Sequence, residues 1–321
     1  MRAFAFASLL VLLAPTARAQ APADTAAARD SLPAFRLVLE RTAGRYGVGP
    51  GELSGPLGVA VDARGRILVA DAGNHRIARF DTAGVFLGEF GGFGYEDNRF
   101  DRPTVVWSGN ALAIWVLDQG NARVVKYDLE GRLLGVLVAL RSDAVRARLD
   151  LVDPQGLAVD QGGELFVTDA SADRVLLFDP LGAVLTPVGG FGTQAGRFDG
   201  PDGIAVDDTR RLLVAETANR RVQLLDASGG AIAATPLDPG MTGKQGLLVA
   251  FGPDGMWALG DRATGTISVR DARGLVLARL EAKKKGDPRP GGLAFDARGH
   301  LLVTDVRNHR LLWYRLEAPS P

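Results

Sequence analysis

Cysteine is absent from the 321 residues, and only three histidines (His75, His300 and His309) and three methionines occur. Missing thiols exclude disulfides, thiolate nucleophiles and cysteine-ligated zinc together, so the core must hold the fold unaided. Net charge is also missing, with 37 basic residues balancing 37 acidic ones. No global field draws in nucleic acid or an anionic membrane, and no nucleic-acid partner is expected. Beyond the first twenty residues no apolar run approaches the roughly 18 residues of a bilayer span, so no direct membrane insertion is expected either. Nucleophile elbows, phosphate-binding glycine loops and the His-Glu-x-x-His zinc pattern are likewise lacking.

What is present is the composition of a folded chain, 46% hydrophobic and 23% charged. Arg2, the apolar run at residues 3–14 and the small-x-small site Ala17-Arg18-Ala19 read as a signal peptide over residues 1–19. The expected location is therefore periplasmic or secreted. Residues 20–33 are small and polar, the pattern of a flexible N-terminus, and residues 318–321 form a short tail.

From residue 34 to residue 317 the chain repeats. Six units begin at Pro56, Pro103, Pro154, Pro201, Gly246 and Pro290, and their short β-branched or Leu-rich runs are separated by turn residues. In the first unit, Val59 to Val61, Ile67 to Ala70, Arg76 to Phe80 and Val85 to Phe90 read as strands a to d. Four antiparallel strands in about 45 residues make one propeller blade, so the expected fold is an all-β six-bladed propeller. The sixth unit lacks its outer strand, and Phe35 to Glu40 alternates suitably to supply it, closing the ring and removing the open edges. Residues 141–150 read as a helical turn between blades two and three. The 41 glycines read as turn residues.

At the b-to-c turn the units read A-D-A-G-N-H-R, L-D-Q-G-N-A-R, T-D-A-S-A-D-R, A-E-T-A-N-R-R, G-D-R-A-T-G-T and T-D-V-R-N-H-R. This pattern resembles the NHL repeat family, bacterial exported type, over about residues 34–317. The resemblance implies a six-bladed propeller and admits binding of proteins, RNA or small ligands, sensing, and occasional metal-dependent chemistry. Blade five departs most, with Gly252 in place of the strand-a aspartate and Thr266 in place of the turn arginine.

Repeated acidic residues first suggest a carboxylate ring. Because arginine follows at plus five, Asp71 with Arg76, Asp118 with Arg123, Asp169 with Arg174, Glu216 with Arg221, and Asp305 with Arg310 read as structural turn pairs. His75 and His309 share one repeat position and read as turn residues, with His300 on the opposite face. A grafted site must use non-equivalent side chains. Thr104, Gln155 and Asp202 occupy one repeat position at the start of strand a and place hydroxyl, amide and carboxylate on an arc of the channel mouth. The most interface-like d-to-a loop carries Phe93, Tyr95, Arg99 and Phe100. Phe191 and Phe198 repeat part of it. Two local basic patches, Lys283 to Lys285 with Arg289 and Arg141 with Arg146 and Arg148, read as solvated charge.

The function expected from these residues is a non-enzymatic binding or scaffold module that presents loops to a protein, peptide or glycan, with no cofactor. The alternative is a metal-dependent lyase or lactone hydrolase with one divalent cation in the channel near Gln155 and Asp202.

Overall fold

The computed structural model describes residues 35–109, 113–139 and 153–318. These hold six four-stranded antiparallel sheets. In blade one the strands are Pro56–Val61, Ile67–Asp71, Arg76–Phe80 and Phe86–Gly91, each starting or ending within a few residues of the expected positions. Strand b is buried along its whole length, whereas strand d alternates between half-buried and exposed. That difference follows from position, since b is covered by both neighbouring blades and d is an edge at the rim.

Apolar side chains of adjacent blades meet in six clusters, one in each gap between blades. Between blades one and two, for example, Leu68, Ile77, Phe100, Ile114, Val116 and Tyr127 pack together. The innermost strands of neighbouring blades also contact one another, including Pro290–Phe295 against Pro56–Val61, so the ring is closed.

Closure uses the N-terminal strand, as the sequence implies. Arg36–Ala43 pairs antiparallel with Arg310–Glu317, from Arg36 opposite Glu317 to Ala43 opposite Leu311, with a bulge between Leu39 and Arg41. Charge reinforces the seam at its lower end. Arg315 Nε donates to Glu40 Oε1 at 2.5 Å, and His300 stands between Asp296 Oδ2 (2.7 Å) and Glu40 Oε2 (3.2 Å). The hydrogen bond from Arg315 holds the Glu40 carboxyl below its usual range.

One expectation needs correction: not every glycine is a turn residue. Gly58, Gly156, Gly203 and Gly292 lie inside strand a, two residues after the blade-opening proline. A Cβ on Gly203 would stand 2.5 Å from the Leu247 carbonyl oxygen of the next blade, and one on Gly58 would stand 2.8 Å from Val106 N. At these four positions the innermost backbones approach too closely for a side chain, whereas blades two and five carry Val105 and Leu248 there. The expected signal peptide at residues 1–19, the expected flexible stretch at 20–33, the expected helical turn at 141–150 with its arginines, and the tail beyond residue 318 lie outside the described residues.

Candidate functional site

In an antiparallel blade the b-to-c turns and d-to-a loops emerge at one end and the other turns at the opposite end. The upper face is therefore built from the six motif turns and the loops between blades. The acidic, asparagine, histidine and arginine positions of the turn motif have definite partners there. The acidic residue pairs with the arginine, as in Arg76 Nε to Asp71 Oδ2 at 2.9 Å and Arg123 Nε to Asp118 Oδ2 at 2.8 Å. Arg174 reaches Asp169 at 3.1 Å, Arg221 reaches Glu216 at 2.6 Å and Arg310 reaches Asp305 at 3.0 Å. The other carboxylate oxygen accepts a loop N–H just before strand a, from Ser54 for Asp71 and from Asp101 for Asp118. Burial nevertheless raises the carboxyls of Asp71 and Asp118, against the opposing pull of these donors.

The arginine's remaining nitrogens hold the preceding loop. Arg76 donates to the carbonyls of Val48, Gly49 and Glu52, and Arg123 donates to those of Tyr95, Glu96 and Arg99. A planar guanidinium with five donors suits this task, and lysine would not replace it. Asparagine at plus three adds a bond from Asn74 to Gly47 O and from Asn121 to Gly94 O.

Histidine at plus four acts across the blade boundary. His75 and His309 both adopt left-handed backbone conformations, with φ of 56° and 55°. His75 Nδ1 accepts the Arg102 N–H (3.0 Å) and His309 Nδ1 accepts the Gly55 N–H (2.9 Å), each in the loop leading into the next blade. Asp173 does the same for Gly200 at 2.8 Å. The histidines are thus turn residues engaged by backbone donors.

On loops locked in this way, aromatic rings stand in solvent. Tyr46 is 71% exposed, Phe93 61%, Tyr95 74% and Phe191 73%. Tyr46, Phe93 and Phe191 occupy equivalent positions, each bridged to a buried partner seven residues on, namely Leu53, Phe100 and Phe198. Phe93 rests edge-on against His75 with centroids 4.9 Å apart, and Tyr46 leans on His309 at 4.8 Å. The expected loop site is corrected on one point. Phe100 is fully buried between blades one and two and packs on Tyr127, so it faces no ligand. Arg99 is exposed but has Nη1 on the Gly91 carbonyl at 2.9 Å. Phe93 and Tyr95 remain free, and Tyr46 and Phe191 join them.

Thr104, Gln155 and Asp202 do line one cavity at the channel, of about 250 Å³. Thr104 Oγ1 is buried without a hydrogen-bond partner. Gln155 Nε2 donates to Asp153 Oδ1 at 2.7 Å, and Asp202 Oδ2 accepts the Leu247 N–H. Burial pushes the Asp202 carboxyl up, opposed by the charge of Arg262. Arg262 was not among the expected residues. It belongs to blade five, whose turn has threonine where the others have arginine, and it stands one residue after the motif aspartate instead of five. Asp261 is satisfied instead by backbone N–H groups, including Ala263 at 2.8 Å and Gly243 at 3.2 Å. The loop before blade five is held by Asp238, which accepts from Ser268 Oγ and from Arg270 Nη2 at 2.7 Å.

A cation fits this cavity poorly. Among the described residues no group of three or more His, Cys, Asp or Glu side chains is placed to hold a metal ion. The guanidinium of Arg262 near Asp202 also opposes a second positive charge.

Comparison with known proteins bears on the family and the fold. The family model described as NHL repeat matches residues 53–80 and 288–314, within blades one and six. The chain is 31% identical over 149 residues to Protein brain tumor of Drosophila melanogaster, covering 46% of this chain and 13% of that protein. It is 50% identical over 46 residues to Protein lin-41 of Caenorhabditis elegans, covering 14% of this chain and 4% of that protein. The matches thus span a small part of either relative. Among solved structures, a streptogramin B lyase aligns with a TM-score of 0.62 at 14% identity, covering 88% of this chain and 98% of that one. Virginiamycin B lyase from Staphylococcus aureus aligns with a TM-score of 0.55 at 14% identity, covering 80% and 78%. At such identity the likeness is one of fold. Two stretches of the chain match the NHL repeat, and the chain folds as a six-bladed β-propeller.

Proposed function

We propose that this propeller is an extracytoplasmic binding module whose upper face holds a protein or peptide partner. The observation that carries this reading is the set of exposed rings, Tyr46, Phe93, Tyr95 and Phe191, on loops whose backbones the turn arginines hold in place. Rings of this kind bury a large apolar area at small entropic cost, and rigid loops reduce the ordering penalty of binding. Aromatic anchors of this type dominate protein interfaces. The leader-like residues 1–19 support a partner in the periplasm or outside the cell. A glycan would also stack on such rings, and the mixed polar surroundings of Glu96, Asp97 and Asn98 suit a peptide backbone equally well.

The test is selection of peptides from a random displayed library on the mature chain, followed by titration of the winners against Phe93→Ala/Tyr95→Ala. A loss of at least about tenfold in affinity, with an unchanged melting temperature, is expected for removing two anchors. Failure to enrich any peptide, or winners indifferent to the double substitution, overturns the reading.

A further inference from the structure

The channel mouth contains two opposite charges that do not touch. Asp202 is anchored by the Leu247 N–H, and Arg262 is anchored by Nη2 on the Gly291 carbonyl at 3.0 Å. Their backbone anchors lie on different strands, and the two side chains form no ion pair. Arg262 Nε is buried with no partner, and so is Thr104 Oγ1 across the channel in blade two. Gly246, with φ of 102°, sits at the gap. A Cβ there would stand 2.9 Å from Asp202 Oδ2 and 3.3 Å from Arg262 Nη1. The absence of a side chain at Gly246 keeps the space between the charges open.

Oppositely charged groups in a low-dielectric recess attract strongly, and an unpaired buried donor is costly. A recess that holds them apart and leaves donors unused is shaped for a group that fits between them. That group cannot carry much net charge, because Arg262 repels a cation and Asp202 repels an anion. It needs a hydrogen-bond donor for the carboxylate and an acceptor for the guanidinium. A carboxamide has both, and its dipole aligns with the field between the two charges. The cavity volume of about 250 Å³ admits a small molecule or a single residue of a larger one.

We propose that the channel mouth binds a neutral carboxamide, with its N–H toward Asp202 and its carbonyl toward Arg262. Thr104 from across the channel and the side-chain carbonyl of Gln155 from the blade beside Asp202 meet the remaining polar atoms. This site opens on the same face but includes none of the exposed rings, and its test uses none of the aromatic variants.

The experiment titrates the mature chain with three probes, N-acetylalanine amide, acetate and methylammonium, followed by NMR chemical-shift changes. The amide is expected to bind at least about tenfold tighter than either ion. Asp202→Asn removes the carboxylate that lines the recess, leaving Arg262 there with Asp153 behind Gln155, and is expected to shift preference towards acetate, whereas Arg262→Gln is expected to shift it to methylammonium. Thr104→Val removes the orphaned hydroxyl without changing side-chain shape. It is expected to weaken the amide by about threefold to tenfold, the worth of one hydrogen bond, while leaving thermal stability unchanged or raised. A longer acetylated peptide amide that binds tighter than the single residue points to a peptide source, and equal affinity to a free small molecule. Wild-type binding of an ion as tightly as the amide, no saturable binding of any probe, or charge variants that leave the preference unaltered overturns the proposal.

Discussion

Replacing Arg123 by alanine tests the principle on which the upper face is built. The guanidinium pairs with Asp118, which is wholly buried, and holds three carbonyls of the loop carrying Phe93 and Tyr95. Removing it leaves a buried carboxylate whose compensation falls to Asn121 and the Asp101 N–H. Breaking a buried pair in this way costs about 3–5 kcal/mol. For a domain of this size each kcal/mol moves the melting temperature by about 2–4 °C, so a drop of about 10 °C is expected. The deficit also depends on pH. Without Arg123 the already raised carboxyl of Asp118 rises further, and the native state takes up its proton more readily than the unfolded chain does. The penalty is therefore full near neutrality and shrinks as pH falls through the raised native value. Adding Asp118→Asn to the variant removes the stranded charge. The double variant is expected to recover all but the share due to the loop carbonyls, about 1–2 kcal/mol. Urea midpoints at two pH values measure all of this, and hydrogen exchange at residues 95–99 reports the released loop. A single variant losing less than about 1 kcal/mol, or a double variant no better than the single one, refutes the clamp.

Further outcomes follow from the seam and the loops. Deleting residues up to Ala43 strips the outer strand from blade six and is expected to lower the urea midpoint sharply, so a deletion that melts like the parent refutes closure by this strand. Glu40→Gln removes an ion pair whose carboxyl is held below 4.5, so the advantage of the parent is present above that pH and fades below it; parallel acid-melting curves for the two proteins refute the assignment. His309→Ala removes the acceptor for Gly55 N–H and puts alanine in a left-handed conformation, and a loss of about 1–2 kcal/mol in chemical denaturation is expected. The same substitution frees Tyr46, whose fluorescence anisotropy is expected to fall.

Much of this architecture is legible in the sequence because turn chemistry recurs. Asp and Arg five residues apart, repeated on schedule, announce the hairpin turn and its pairing before any coordinates do. The missing outer strand of blade six was equally readable, since the sixth unit stops after its third strand and Phe35 to Glu40 alternates. Gly58 and its equivalents were misread because the constraint on them comes from the neighbouring blade, at a distance the local sequence does not encode. Phe93 and Phe100 look alike within one aperiodic loop, and only the bridge between them sends one out and one in. Arg262 left a trace that was legible in part. The loss of arginine at Thr266 was visible, and the arginine beside Asp261 was also there, but its reach into the channel depends on the path of the rebuilt loop.

That rebuilt loop has a wider consequence. In blades one, two and four the turn arginine braces the loop before its own blade, and a change of use would unsettle that loop. Blade five transferred the task to Asp238, Ser268 and Arg270, and a basic side chain in its turn became free to point at the axis. Duplication alone makes six copies of a brace. A repeat protein acquires a chemically distinct centre when one copy is relieved of bracing, and the relieved copy is the place to look for it.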